Sequence, residues 1–312
     1  MTKKKIILFT LFLSLLIIIS LKALDYVFFK IYGLGNPVIY KSSKFYGYSL
    51  EPNQNINRRG KSIIVNNYGM RSSKNWDLQK NKESLKILFL GDSVTYGGSV
   101  VNNNETFSEI TCEKLNQSKY VNTTCGNWGV NGYSLFSIIR RIQYKKINNE
   151  DLLVITLIGN NFSRTFHNSL SQPFWTKKID NYFPSLTELI FIFIDRFRNK
   201  IKYNIGSEVD NSTLDYKYYN NLIDELYYVL DKNKKKYLLF YSPSLGELNG
   251  LENYNDIKNV IKKKFPNFID LSNIKYNSKE NLYFDAIHLN KKGHEIYANF
   301  MSKKIEEFIA NQ

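Results

Sequence analysis

Histidine, cysteine and acidic side chains are the scarce chemistry in this chain. Its 312 residues include three histidines, two cysteines and 28 carboxylates against 43 lysines and arginines. The histidines, His167, His288 and His294, and the cysteines, Cys112 and Cys125, fall in no zinc-binding spacing, so no metal is implied. The formal charge of +15 fits anionic surroundings such as phospholipid headgroups or acidic glycans, or a generally solvated lysine surface. No basic–aromatic motif marks a nucleic-acid partner. There is no internal repeat and no low-complexity run. What is abundant is apolar surface: 43% of residues are hydrophobic, enough to bury one sizeable core.

The chain is organised around Lys86-Ile-Leu-Phe-Leu-Gly-Asp-Ser-Val-Thr-Tyr-Gly97. Lys86 to Leu90 suits a parallel strand covered on both faces, and Gly91 permits the turn that presents Ser93 at the strand's carboxyl end, where open α/β sheets form their sites. The Gly-x-Ser-x-Gly elbow is missing, because Thr95 stands two residues after Ser93. A serine near neutral pH needs a base, an orienting carboxylate and donors for an oxyanion. Near the C-terminus Asp285-Ala-Ile-His288 places a carboxylate three residues before an imidazole, close enough on a short turn for the two to meet. Between these blocks, Asn127-Trp-Gly-Val-Asn-Gly132 and Leu157-Ile-Gly-Asn160-Asn161-Phe each follow a strand-like run. Gly132 lets a backbone N–H approach a substrate closely, and Asn160 brings a neutral amide donor.

Four blocks in this order resemble the SGNH (GDSL-type) hydrolase superfamily, from about Lys86 to the end. The resemblance implies a catalytic triad of Ser93, His288 and Asp285, with Ser93, Gly132 and Asn160 as the oxyanion hole and no cofactor. The third block departs from the usual Gly-x-Asn-Asp, since the first Gly and the final Asp are missing from Ile158-Gly159-Asn160-Asn161. Registering on Gly159 would instead make Asn161 the donor. With Asn160 as donor, Asn161→Asp restores the commoner family residue and is expected to be tolerated. The activity implied is ester hydrolysis on an O-acyl glycan or a lipid. Two alternatives stand beside it: an O-acyltransferase using the same triad, and a non-catalytic glycan-binding or assembly protein.

In chain order, Met1-Thr-Lys-Lys-Lys5 precedes the uncharged apolar run Ile6 to Leu21. That is the pattern of a signal anchor with a cytoplasmic N-terminus, extendable through Ala23 to Phe29 if Lys22 and Asp25 sit near the interface, or of a cleaved signal peptide. Either places the hydrolase part outside the cytoplasm. We expect 1–29 to be the anchor, 30–85 a loop-rich lead-in packed on the catalytic domain, and 86–312 the hydrolase domain with an insertion at about 162–211. Ser62–Val65 is the lead-in's strand candidate, and Asn66, Gly69 and Arg71 either form a turn or pack beside the site.

Helical spacing over Thr106–Leu115, Ser134–Ile147, Leu214–Asp231, Asp256–Phe265 and Lys291–Ile309 alternates with strand-like runs at Tyr120–Cys125, Leu152–Ile158, Tyr237–Tyr241 and Phe268–Leu271. The alternation implies a three-layer α/β/α sandwich around a mainly parallel five-stranded, flavodoxin-like sheet. Cys112 and Cys125 are either a disulfide across one packed layer or two buried thiols. Within the insertion, Ser185–Tyr203 carries Leu189 to Ile194 ahead of Arg196, Arg198, Lys200 and Lys202. It is either a packed helix with a snorkelling basic end or one lying on a membrane. His294 is expected on a helix without a role, and His167 in a loop at the site rim.

Overall fold

The computed structural model of the protein describes residues 2–79, 84–118, 122–144, 149–164, 181–204, 216–232, 234–274 and 280–311. His167 and Pro173-Phe-Trp175 lie outside them. The strands are β1 Tyr40–Ser43, β2 Gly47–Leu50, β3 Gln54–Arg58, β4 Lys61–Val65, β5 Lys86–Gly91, β6 Thr124–Asn127, β7 Leu152–Leu157, β8 Tyr237–Tyr241 and β9 Phe268–Asp270. The helices are α1 Lys3–Tyr32, α2 Ser93–Tyr96, α3 Phe107–Gln117, α4 Leu135–Tyr144, α5 Asn160–Ser163, α6 Pro184–Asn204, α7 Tyr216–Lys232, α8 Leu245–Leu248, α9 Asn255–Lys264 and α10 Lys291–Ala310. Contacts divide the chain into two compact units, one formed by 1–39, 56–61 and 173–210 and the other by the remainder.

The larger unit is built on a five-stranded, all-parallel sheet in the order β6-β5-β7-β8-β9. β5 lies between β6 and β7, so the strand order reverses around it, and the chain leaving its carboxyl end enters the crevice where α/β sheets place ligands. Every residue of β5 and of β7 is buried, as expected of strands covered on both faces. Alternation divides them. Ile87, Phe89, Leu152, Val154, Leu238 and Phe240 join Phe107 and Leu115 of α3 and Tyr297, Met301 and Ile305 of α10 in one core. Leu88, Leu90, Leu153, Ile155 and Leu239 point to the opposite face, where α4 and α7 pack on one another. The architecture is the three-layer α/β/α sandwich that the alternating pattern implies.

Cys112 on α3 and Cys125 on β6 form a disulfide with Cα atoms 5.7 Å apart. Closing a loop of this size stabilises by roughly 3 kcal/mol in the chain-entropy account. Two local expectations are corrected. The strand expected over Tyr120–Cys125 begins at Thr124 and runs on to Asn127, because Asn122 takes a positive φ of 73° that an extended strand cannot accommodate. The lead-in, expected to hold one strand, contains β1 to β4 as two two-stranded sheets, the antiparallel pair β1-β2 and the pair β3-β4. They are short and mostly polar in sequence, which hid them: β4 buries only Ile63 and Val65, and β2, though buried throughout, is four residues of Gly, Tyr, Ser and Leu.

In the smaller unit, α1 ends at Gly33, whose φ of 62° closes the helix with an N–H to the Phe29 carbonyl, 3.0 Å away. Asp25, the buried residue of α1, accepts from the Leu186 N–H in the first turn of α6 at 2.9 Å, where the helix dipole favours a carboxylate. Glu188 is clamped by both guanidinium nitrogens of Arg58, one at 2.8 Å, and by the Gly35 N–H at 2.6 Å. Burial opposes the Glu188 charge, but Arg58 and Gly35 outweigh it and hold the carboxyl below its usual range. α1 and α6 are therefore joined by a buried polar cluster. Part of the expected insertion packs with the anchor segment, so the contact-defined units are drawn differently from the sequence segments.

Candidate active site

Ser93 begins α2 directly after β5. Asp92 caps this short helix, its Oδ1 accepting from the Val94 N–H at 2.9 Å. The turn is tight: a Cβ on Gly91 would lie 2.1 Å from Thr95 Oγ1 and 2.7 Å from the Thr156 carbonyl. Beneath it, Asn127 donates to the Thr95 carbonyl at 2.7 Å, and Arg71 donates to the carbonyls of Tyr96, Gly98 and Val101 at 2.8, 2.5 and 2.7 Å. Asn66 meanwhile closes the lead-in turn by accepting from Tyr68 and Met70. Arg71 leaves that turn and packs against the end of α2 and the loop that follows it, so the segment forms the expected turn and also braces the helix that Ser93 opens.

His288 Nε2 lies 2.8 Å from Ser93 Oγ, across 195 residues of sequence, and His288 Nδ1 lies 2.7 Å from Asp285 Oδ2. The other Asp285 oxygen accepts from the backbone N–H groups of Ile287 and His288 at 3.0 and 2.8 Å. Burial pushes the Asp285 carboxyl up, but those two N–H donors and the His288 ring outweigh it, and the group is held below the usual carboxylate range. The loop is tied down by Leu245 N–H to the Ala286 carbonyl at 2.8 Å and by Tyr283 hydroxyl to the Pro243 carbonyl at 2.7 Å.

Gly132 adopts φ 77°, and Asn160 opens α5 at the carboxyl end of β7. Among the described residues, the N–H of Ser93, the N–H of Gly132 and the carboxamide of Asn160 donate to no protein acceptor. The neighbouring Asn161 is held at both ends of its carboxamide: its Oδ1 accepts from the Ile158 N–H at 2.7 Å and its Nδ2 donates to the Tyr133 carbonyl at 2.9 Å. Asn161→Asp would set a carboxylate against that carbonyl, so the expectation that it is tolerated is withdrawn. The sequence could not show that this position's amide holds two loops together.

Two side chains of the site escaped the sequence reading. Arg164 pairs with Asp92 Oδ2 at 2.6 Å and reaches the Tyr133 carbonyl at 3.3 Å. Its only local signal is its place one turn after Asn160. Tyr48, from β2, donates to the Asn131 carbonyl at 2.5 Å, and a Cβ on Gly132 would stand 2.9 Å from its hydroxyl. Nothing near Tyr48 in sequence points to Gly132. Behind them Tyr133, raised to about 12 by burial against the opposing effect of Arg141, bridges Arg141 and the Tyr48 carbonyl.

His294 is buried on α10, and its Nδ1 accepts from the Phe107 N–H at 3.1 Å. Burial first, and then the positive charge of Arg71, lower its pKa to about 3. An unfolded histidine titrates near ~6.5, so between these values the unfolded chain binds a proton that the folded chain does not, and stability falls as pH falls. His294→Gln keeps an acceptor for Phe107 without titrating. Urea unfolding of detergent-solubilised protein should show wild type losing about 2 kcal/mol more than this variant between roughly pH 6.5 and 5. Equal pH slopes for the two would refute the account.

No protein-family model and no curated protein sequence matches the chain. Among solved structures it is similar to a lipase from a goat-rumen metagenome, with 14% identity and a TM-score of 0.46, covering 72% of this chain and 97% of that one. It is similar as well to a lipase/acylhydrolase from Enterococcus faecalis, at 15% and 0.44, covering 72% and 96%. A third is a catalytic mutant of an acetylxylan esterase from Geobacillus stearothermophilus, at 13% and 0.46, covering 73% and 96%.

Proposed function

We propose that this protein is a membrane-anchored serine esterase of the SGNH type that cleaves an O-acyl group from a glycan or a lipid. The observation that carries the reading is the position of His288, with one ring nitrogen 2.8 Å from Ser93 Oγ and the other 2.7 Å from Asp285. Asp285 fixes the tautomer with its proton on Nδ1, leaving Nε2 as the base. Ser93 Oγ attacks the ester carbonyl as its proton passes to Nε2. The oxyanion that forms is met by the Ser93 N–H, the Gly132 N–H and the Asn160 amide, which donate to no acceptor among the described residues. His288 then protonates the departing alkoxide, and a water activated by the same nitrogen releases the acid from the acyl-enzyme. With a sugar hydroxyl in place of water, the same intermediate performs acyl transfer.

In this reading 1–29 anchor the chain, 30–85 support the site through Tyr48 and Arg71, and 86–312 carry the chemistry. α1 is long and apolar enough to cross a membrane. Lys3, Lys4 and Lys5 favour a cytoplasmic N-terminus, with the rest of the chain on the far side.

The test is covalent. A fluorophosphonate probe should label wild type and leave Ser93→Ala unlabelled, and the labelled enzyme should be screened on short aryl esters, acetylated sugars and lysophospholipids, with and without a glycan acceptor. Equal labelling of the two proteins would defeat the proposal, and acyl transfer exceeding hydrolysis would select the transferase form of it.

A further inference from the structure

The outer face of α6 is apolar and its large side chains are exposed. Ile190, Phe193, Ile194 and Phe197 recur at the three- and four-residue spacing of one helix face and are 59%, 70%, 39% and 60% exposed, with Phe191 beside them at 41%. The opposite face is the packed one, where Ser185 donates to the Leu34 carbonyl at 2.8 Å and Glu188 receives Arg58 and Gly35. A helix so divided in a water-soluble protein would turn the phenylalanines inward. Here the polar residues face the protein instead.

Its start is fixed against α1 at a defined level. The uncharged run of α1 ends at Leu21, and the first charged side chains after it, Lys22 and Asp25, both meet the start of α6. Asp25 accepts from Leu186 at 2.9 Å, and Lys22 reaches the Tyr182 carbonyl with its ammonium 4.6 Å from the Phe183 ring centre. If α1 spans the bilayer, this junction lies where hydrocarbon gives way to headgroups. Beyond the apolar face the sequence of α6 turns basic, with Arg196, Arg198, Lys200 and Lys202 against the single Asp195. Apolar anchors followed by cationic groups suit an interface that carries anionic phosphate.

We propose that α6 is a second membrane contact, lying in the headgroup region of an anionic bilayer with Ile190, Phe193, Ile194 and Phe197 inserted among the upper acyl chains. It rests on α1 being a retained anchor. Because α6 belongs to the segment that follows the Asn160 block, the chain between α5 and α7 is then held at the membrane at its midpoint as well as through α1.

Both native cysteines are in the disulfide, so single introduced cysteines can be labelled cleanly. Full-length Phe193→Cys and Ile190→Cys, carrying an environment-sensitive fluorophore, would be reconstituted in phosphatidylethanolamine–phosphatidylglycerol vesicles. Leu13→Cys in α1 and Lys303→Cys on α10 serve as membrane and aqueous controls. Labels at 190 and 193 should lose most of their emission to a nitroxide placed high on the lipid acyl chain and little to aqueous iodide. Quenching by iodide to the extent seen at 303, with Leu13 still buried in lipid, overturns this inference and leaves the anchor intact. Shielding from both quenchers that is lost when protein is diluted within the vesicles identifies a second copy of the chain as the occupant, and also overturns it. A Leu13 label open to iodide defeats the anchor itself.

Discussion

Ser93→Ala, His288→Ala and the double variant should all lose ester hydrolysis by nearly the same factor, on the order of 10⁴- to 10⁶-fold in kcat. The two side chains act on one proton. Without His288 the Ser93 hydroxyl has no base bonded to it among the described residues, and without Ser93 the imidazole has no nucleophile to deprotonate, so the second deletion removes nothing further. The loss corresponds to about 5–8 kcal/mol of transition-state stabilisation. Substrate affinity should change little in any of the three. Asp285→Ala should cost less, because Asp285 is 46% exposed at its side chain and water can take over part of its contact with Nδ1. A double variant whose loss approaches the product of the two single losses would mean that Ser93 and His288 work independently, and full activity in Ser93→Ala would remove the serine from the mechanism.

The sheet was legible in the sequence because its strands are buried on both faces and therefore read as unbroken apolar runs, as in Leu152 to Leu157. The alternation of such runs with helical spacing determines a parallel layer, and with it the crevice beside β5. Local motifs also placed Ser93, Gly132, Asn160, Asp285 and His288 at the ends of elements, where loops gather. Their distances were not legible, since the 2.8 Å contact between Ser93 and His288 depends on the whole strand order.

What stayed hidden was the support. Tyr48 and Asn131 meet across 83 residues, and the strand that brings Tyr48 there, β2, is only four residues long and carries little periodic signal. Arg71 sat in a recognisable turn, but only the fold sends its guanidinium to the end of α2 to bond three carbonyls. The face of α6 failed for a different reason. An amphipathic pattern states that two faces differ, and whether the apolar one meets protein or lipid is decided by what packs on the other. Buried Glu188, Arg58 and Asp25 place the protein on the polar side.

Asn160→Ala should lower kcat by roughly 10²- to 10³-fold with little change in KM, the signature of an interaction made chiefly in the transition state. The ground-state ester presents a neutral carbonyl oxygen, whereas the tetrahedral intermediate presents a full charge, and an amide donor gains most from the second. Asn160→Asp should be at least as damaging, because an ionised carboxylate offers no donor and repels the charge. Asn161 has a different part. Its carboxamide is consumed by Ile158 and Tyr133, at 2.7 and 2.9 Å, so Asn161→Ala should act on stability first, at about 1–3 kcal/mol for buried backbone groups left without partners. Urea unfolding and kcat, measured on the same three variants with one aryl ester, separate the two positions. A crippled kcat in Asn161→Ala with unchanged stability, beside a near wild-type Asn160→Ala, would transfer the donor role to Asn161. The Asn160 amide, which donates to no acceptor among the described residues, argues for the opposite result, because the Asn161 amide is already tied to the Tyr133 carbonyl and is not free to turn toward the transition state.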